Sequence, residues 1–399
     1  MKKTIHILYI ASFLLIIFGM GAISLVKADR ESSDFENRTL AQRPAIDKKT
    51  LLTGEFSKAF ETYFADQLYG RDKIIEVYTK EQILLNRSII NGIVVAKDNW
   101  LFNPPAGEKR FKEIDQSLTN LEKLADIFKG TNVEFFFAAA PYKTNTLSEL
   151  YPSYINMDFS KENQKYFMDN LPAGITGINL YEQFKKSYSL EQLESMYFKT
   201  DHHWNIEGAF NGYQKIIQAL NENSTQFKGE PVQKNEVELV CNKSSSFNGS
   251  HNRQLYRIIS DEGEKVCYYD PFFLQDIGKV SAKTWDGQTL TDINEIYNTG
   301  FEKDPLQYGD IFTWDLPEIN FEYENTGNDL HLLVLKDSYG NPIQPLLAQN
   351  FNKTSILDIR HYKEKSVAQY IKDNQIDIVL FVYNDTNLAG EMYEFFAES

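Results

Sequence analysis

The chain opens on its most apolar segment. Ile5 to Val26 runs for 22 residues without an Asp, Glu, Lys or Arg, behind Lys2 and Lys3. A bilayer core takes about 20 such residues, whereas the apolar part of a cleavable signal runs about 7–15. The length predicts an uncleaved anchor over residues 1–28, with both lysines on the cytoplasmic side and the rest of the chain outside. A signal peptide is the other reading, because Val26-Lys27-Ala28 places small residues where a signal peptidase cuts. Residues 29–53 then read as a charged juxtamembrane linker, set by Asp29, Arg30, Glu31, Asp34 and Arg38.

Beyond the linker the period becomes helical. Phe56, Phe60, Phe64 and Leu68 recur every four residues within a helical stretch from Gly54 to about Leu85, which Gly70 should break. Val94-Val95 and Leu101-Phe102, around Lys97-Asp98-Asn99, predict two short strands joined by a turn. From residue 111 onward the pattern is α/β. Ile114, Leu118, Leu121, Leu124 and Phe128 form an apolar stripe that Gly130 ends. Val133–Ala139, Leu332–Leu335, Ser355–Ile359 and Ile378–Val382 are near-continuous apolar runs, as expected of strands covered on both faces. Helices are predicted from Asn205 to about Leu220 and over Ile343–Asn350. This alternation predicts an α/β fold with a mostly parallel sheet flanked by helices and its site residues at strand C-terminal ends. Residues 225–330 differ. They are polar, turn-rich and aromatic, with strand candidates at Val237–Val240 and Lys265–Tyr269, and read as a partly β insertion or subdomain within a domain spanning 54–399.

Composition narrows the classes. An apolar fraction of 42% with 14% aromatic residues is that of a globular chain, and a net charge of −15 argues against nucleic acid or an anionic lipid surface. Cys241 and Cys267 form no Cys-x-x-Cys pair, so a cysteine zinc site is not expected. Outside the cell they could be bridged, or they could remain two buried thiols.

The candidate chemistry lies in two distant segments. If Thr200-Asp201-His202-His203-Trp204 is extended, Asp201 and His203 share one face and His202 takes the other. A carboxylate beside an imidazole fixes its tautomer and stabilises its protonated form, as in a serine-nucleophile triad. Ser338 falls in the turn between the strand at 332–335 and the helix opening near Pro342, where such a nucleophile is presented. Other readings exist for each residue. Ser338 could be a helix cap, His202 a packing residue, and residues 201–203 part of a metal site, although no second His/Asp cluster completes a ligand set. The Ser338 backbone N–H is a natural oxyanion donor at a helix start, and Tyr339 or Asn341 could add a side-chain donor. Arg360, after the strand at 355–359, could bind an acyl oxygen or a sugar hydroxyl, or be an ordinary strand-end charge. Exposed aromatics in 225–330 could stack on sugar rings.

Thr200-Asp201-His202-His203-Trp204 resembles the signature of the DHHW proteins. These in turn resemble the alginate O-acetyltransferase group of SGNH-hydrolase-like enzymes, whose motif is Thr-Asp-x-His-Trp. Further blocks support the resemblance: Glu36-Asn37-Arg38 with Leu40, Asp66-Gln67 with Arg71-Asp72, Lys97 to Phe102, and Pro141-Tyr142-Lys143. It implies an SGNH-hydrolase-like fold, with Ser338 as nucleophile, His203 as base, Asp201 as its orienter, Lys143 near the substrate, and neither a cofactor nor a metal. It also implies an exported, membrane-anchored O-acyltransferase acting on a polysaccharide, often supplied by a membrane-bound O-acyltransferase. A carbohydrate acetylesterase with the same triad, or a non-catalytic scaffold for polysaccharide assembly, are the alternatives. One departure stands out. The ordinary SGNH serine lies in an early Gly-Asp-Ser, whereas Lys336-Asp337-Ser338 is late and lacks that glycine.

Overall fold

The computed structural model describes the whole chain except residues 1, 37, 156–157, 244–245, 261–263, 271–276, 298–302, 325 and 397–399. Asn37, within one of the family-like blocks, therefore lies outside the described residues. Two compact units are present, residues 1–93 with 252–260, and residues 94–251 with 261–399. The first division thus falls at residue 93, later than the boundary at 53 expected from composition.

The smaller unit contains the apolar helix Lys2–Val26, whose Thr4–Val26 part is long and apolar enough to cross a membrane, with mean hydropathy 2.3. Helices Glu55–Gln67 and Arg71–Leu84 follow, divided at Gly70, whose φ of +74° suits the residue with no Cβ. The stretch expected to be a linker is tied down by charge. Arg38 pairs with Asp66 and Glu36, Arg71 with Glu36, and Arg30 with Asp72. Hydrogen bonds from Arg38 pull the Asp66 carboxyl down to about 2.

The larger unit is built on eight strands: β1 (Glu134–Ala140), β2 (Ile175–Asn179), β3 (Ile277–Lys283), β4 (Thr289–Leu290), β5 (Glu318–Tyr323), β6 (His331–Lys336), β7 (Lys353–Leu357) and β8 (Ile378–Asn384). Their order is β4-β3-β5-β7-β6-β8-β1-β2. The five from β7 to β2 are parallel, and β5, β3 and β4 continue the sheet antiparallel.

Both faces of the parallel part are covered, which explains the unbroken apolar runs. Along β8, Ile378, Leu380 and Val382 enter one core, while Val379, Phe381 and Tyr383 enter the other. The first core takes Phe210, Tyr213, Ile217 and Leu220 of helix α2 (Ile206–Asn223), and the second takes Ile114, Leu118, Leu121 and Leu124 of helix α1 (Phe111–Ile127). This is an α/β domain with a mostly parallel sheet covered by helices on both faces.

Among the described residues of 225–330, those of β3, β4 and β5 complete the central sheet rather than forming a separate lobe. The remainder of that stretch contains the ladder Glu238–Cys241 with Cys267–Asp270, closed by a Cys241–Cys267 disulfide.

Candidate active site

The segment carrying Asp201 and His203 is a sequence of bends, not a strand. Their approach therefore does not come from strand alternation. Asp201 Oδ1 accepts the His203 backbone N–H at 3.0 Å and lies 2.7 Å from His203 Nδ1, so one carboxylate oxygen forms the turn and orients the ring. The other, Oδ2, accepts the Ser250 N–H at 2.7 Å. Burial alone would raise the Asp201 pKa, but the nearby histidines and these donors hold it well below the usual carboxylate range.

On the far side of the ring, His203 Nε2 lies 2.8 Å from Ser338 Oγ. Ser338 opens a short 3₁₀ turn directly after β6, and Asp337 is its cap. The Asp337 side chain accepts from Tyr339 N, and also from the backbone and side chain of Asn384 at the end of β8. Asp337 thus pins the serine turn to the neighbouring strand, and burial raises its pKa. Among the described residues the Ser338 N–H has no acceptor, so it is free to meet a developing oxyanion.

Trp204 bolts the two turns together. Its ring is fully buried, and Nε1 donates to the Tyr339 carbonyl at 3.1 Å. Gly212 on α2 makes the space, since a Cβ there would come within 2.8 Å of the Trp204 ring. Gly249 likewise allows the 247–250 segment to lie against Thr200, whose carbonyl a Cβ would overlap.

His202 does not turn away as alternation required. Its ring centroid is 3.7 Å from that of His203, and its Nδ1 is 2.7 Å from Ser250 Oγ and 3.6 Å from Asp201 Oδ1. The bend, unlike a strand, does not alternate faces.

The other candidates take structural positions. Lys143 is completely buried, and its ammonium donates to the carbonyls of Phe198 at 3.0 Å, Lys199 at 3.3 Å and Asp201. Desolvation pushes its pKa down to about 7. With all three protons used inside the protein it supports the histidine turn and does not face substrate. Tyr339 is also buried, its hydroxyl donating to the His202 carbonyl at 2.6 Å and accepting from Lys143 N. Asn341 Nδ2 is engaged by the Thr313 carbonyl and Asp315 Oδ1, and its Oδ1 by Gln344. Neither is an oxyanion donor, because neither has a free proton.

Arg360 binds Asp358 through Nε and Nη2, and Asp315 through Nη2. Lys336 bridges the same two carboxylates at 3.1 and 2.8 Å. The guanidinium thus belongs to an ion-pair network beneath the serine turn, which is the strand-end reading. Asp315, Asp358 and His361 have ligand atoms within metal-binding reach of one another, but these two cations already occupy the carboxylates. At the other such group, Asp201 with His202 and His203, both ring nitrogens of His203 are taken by Asp201 and Ser338. Among the described residues, neither donor set is free to take an ion.

Some residues that gave no sequence signal also reach the site. Tyr308, from the 225–330 segment, stacks on His203 with ring centroids 3.7 Å apart and planes 2° from parallel, and its hydroxyl donates to the Ser338 carbonyl at 3.0 Å. Glu264 is a second, its carboxylate receiving the backbone N–H groups of Lys199 and Thr200 and the Thr200 hydroxyl.

Residues 93–256 match the family described as SGNH hydrolase-like domain, acetyltransferase AlgX. The "Probable alginate O-acetylase AlgJ" of Pseudomonas syringae pv. tomato is 27% identical over 258 residues, which cover 58% of this chain and 56% of that protein. The chain therefore spans about half the length of this relative. The structure of Bacillus cereus PatB1 is 44% identical, covers 76% of this chain and 99% of its own, and superposes with a TM-score of 0.71. PatB1 has also been solved with a sulfonyl adduct, at 42% identity over 77% of this chain and 100% of that one, with a TM-score of 0.71. A DHHW family protein from Eubacterium siraeum has the same fold at 19% identity, covering 77% of this chain and 97% of its own, with a TM-score of 0.61.

Proposed function

Because the chain belongs to the SGNH hydrolase-like proteins with the AlgX-type acetyltransferase domain, we propose that it is an O-acyltransferase moving acetyl groups onto hydroxyls of a cell-surface or secreted polysaccharide. The observation that carries this reading is the unbroken chain Asp201–His203–Ser338, with steps of 2.7 and 2.8 Å.

His203 Nε2 takes the Ser338 proton as Oγ attacks the acyl carbonyl, and the Ser338 N–H receives the oxyanion. The imidazolium, held by Asp201, gives its proton to the leaving group, and Ser338 is left as an acyl ester. A sugar hydroxyl then loses its proton to His203 and attacks that ester, and collapse returns the proton to Ser338. Tyr308 covers one face of the imidazole and keeps it in plane for both transfers. With water as acceptor the same cycle makes an acetylesterase. The helix at Thr4–Val26 would hold the enzyme in the membrane with residues 29 onward outside, where a membrane-bound O-acyltransferase could supply the acyl group. The sulfonyl adduct of PatB1 supports the reading, since such an adduct needs a nucleophilic atom.

The test is turnover of a small acetyl ester, acetyl transfer to an oligosaccharide, and sulfonyl fluoride labelling of the full-length chain in detergent. Ser338→Ala, His203→Ala and Asp201→Ala should each lower turnover by about 10⁴-fold or more. The double variants should lose little beyond that, because the three act as one unit. Labelling should map to Ser338. Wild-type turnover by Ser338→Ala would end the serine mechanism, and an unlabelled, inactive wild type would favour a scaffold.

A further inference from the structure

Two of the four tryptophans present their rings to solvent. Trp204 is buried and Trp100 half-buried, whereas Trp285 is 57% exposed and Trp314 42%. Single exposed apolar residues are ordinary, but these two are neither loose nor scattered. Trp285 occupies the hairpin tip between β3 and β4, where Gly287 takes a φ of +82° and Thr284 N donates to the Gln288 carbonyl at 2.9 Å. Its indole Nε1 donates to the Asp315 carbonyl at 3.1 Å, and the exposed His361 meets the ring at 87°. Trp314 directly precedes Asp315, and its ring lies on Gly309, where a Cβ would come within 2.8 Å. Both rings are held in orientation without being covered.

The segment between them is bonded to the serine turn. Asn341 Nδ2 donates to the Thr313 carbonyl at 3.2 Å and to Asp315 Oδ1 at 3.1 Å. Asp315 also pairs at 2.8 Å with Lys336, two residues before Ser338. Gly309, beneath Trp314, follows Tyr308, the ring stacked on His203. Residues 313–315 thus tie both tryptophans to the strand end that presents the nucleophile.

We propose that Trp285 and Trp314 form a stacking platform for an uncharged polysaccharide chain, holding sugar rings of the acceptor beyond the one that is acetylated. The inference rests on the polysaccharide reading above and names the surface that grips the polymer. The C–H face of a pyranose packs flat on an indole while its hydroxyls stay at the edge, where polar groups can meet them. Such groups border both rings. Lys303 Nζ lies 6.0 Å from the centre of the Trp314 ring, and Asp286 and Gln288 share the hairpin tip with Trp285. The net charge of −15 disfavours a polyanionic chain.

A second copy or another protein fits this surface less well. A stable protein interface buries about 800 Å² on each side around an apolar centre. Among the described residues of 277–362, no large apolar side chain other than these two is exposed. Rings already fixed in place lose little freedom on binding, and two of them acting on one chain make affinity rise with chain length.

The experiment is a saturation-transfer NMR titration of the full-length chain in a detergent without a sugar headgroup. The probes are glucose, mannose and N-acetylglucosamine, each as the monomer and as its linear tetramer. At least one tetramer should bind about tenfold or more tighter than its monomer. Trp285→Ala and Trp314→Ala should each weaken that tetramer by about tenfold, with Tm within about 2 °C of wild type, while Trp285→Phe and Trp314→Phe keep most of the affinity. Trp314 packs on Gly309, so Trp285→Ala alone decides if Trp314→Ala does not fold. No binding of any tetramer, or binding that ignores Trp285→Ala, overturns the proposal. So does a wild-type dimer in sedimentation velocity that Trp285→Ala dissolves, which would assign the rings to a second copy. Sulfonyl labelling of the wild type separates the two readings. A labelled Ser338 without tetramer binding rejects the platform alone, whereas tryptophan-dependent tetramer binding without labelling rejects the serine mechanism alone.

Discussion

Replacing Lys143 with methionine tests whether this lysine is a support or a substrate contact. The thioether fills much of the same volume, so little cavity is created. What is lost is the donor to three carbonyls, those of Phe198, Lys199 and Asp201, and the positive charge near Glu264. Removing one partner of a buried charged cluster costs about 3–5 kcal/mol. Desolvation already holds the ammonium down to about 7, which offsets part of that and favours the lower end. At roughly 2–4 °C per kcal/mol for a large domain, 3 kcal/mol corresponds to a Tm lowered by about 6–12 °C. Differential scanning fluorimetry of the full-length chain in detergent measures it, alongside ester kinetics on the folded fraction. The Tm should fall by that amount and kcat should fall as the histidine turn loosens, with KM within about twofold of wild type. An unchanged Tm with KM raised tenfold would refute the reasoning and return Lys143 to the substrate.

Gly249→Ala should push the 247–250 segment away from Thr200 and break the Ser250 N–H bond to Asp201, costing about 1–3 kcal/mol in Tm measurements and at least tenfold in kcat. Replacing both Cys241 and Cys267 by serine opens a loop with a sequence separation of 26 and should cost roughly 3–4 kcal/mol in the chain-entropy model, read from denaturation with and without reductant. The full-length chain should sediment with membranes, and protease added to intact cells should reach residues beyond 30; digestion confined to lysed cells would contradict that orientation.

The parallel strands were legible because burial on both faces leaves no room for polar residues, so Phe135–Ala140 or Ile378–Tyr383 can hardly be anything else. The antiparallel extension was not. Ile277–Lys283 has lysines at both 279 and 283, and it looks like loop until Glu318–Tyr323 supplies its partner through pairings far along the chain. The apposition of Asp201 and His203 was legible for the wrong geometric reason. A strand and an Asx turn both bring residues i and i+2 together, but the turn also draws in His202, which a strand would have sent away. Lys143, Tyr339 and Asn341 show a related limit. Tyr339 and Asn341 stood beside Ser338 in sequence and Lys143 came from a family-like block, yet neither signal says which atoms are already bonded. Each of the three spends its donors on the backbone or side chains that hold the two turns. Tyr308 is the converse, a ring against His203 from a stretch read as an insertion. That segment therefore completes the site as well as the sheet, which explains why Trp204 and Ser338 can lie 134 positions apart in the chain while the two turns remain bonded to each other.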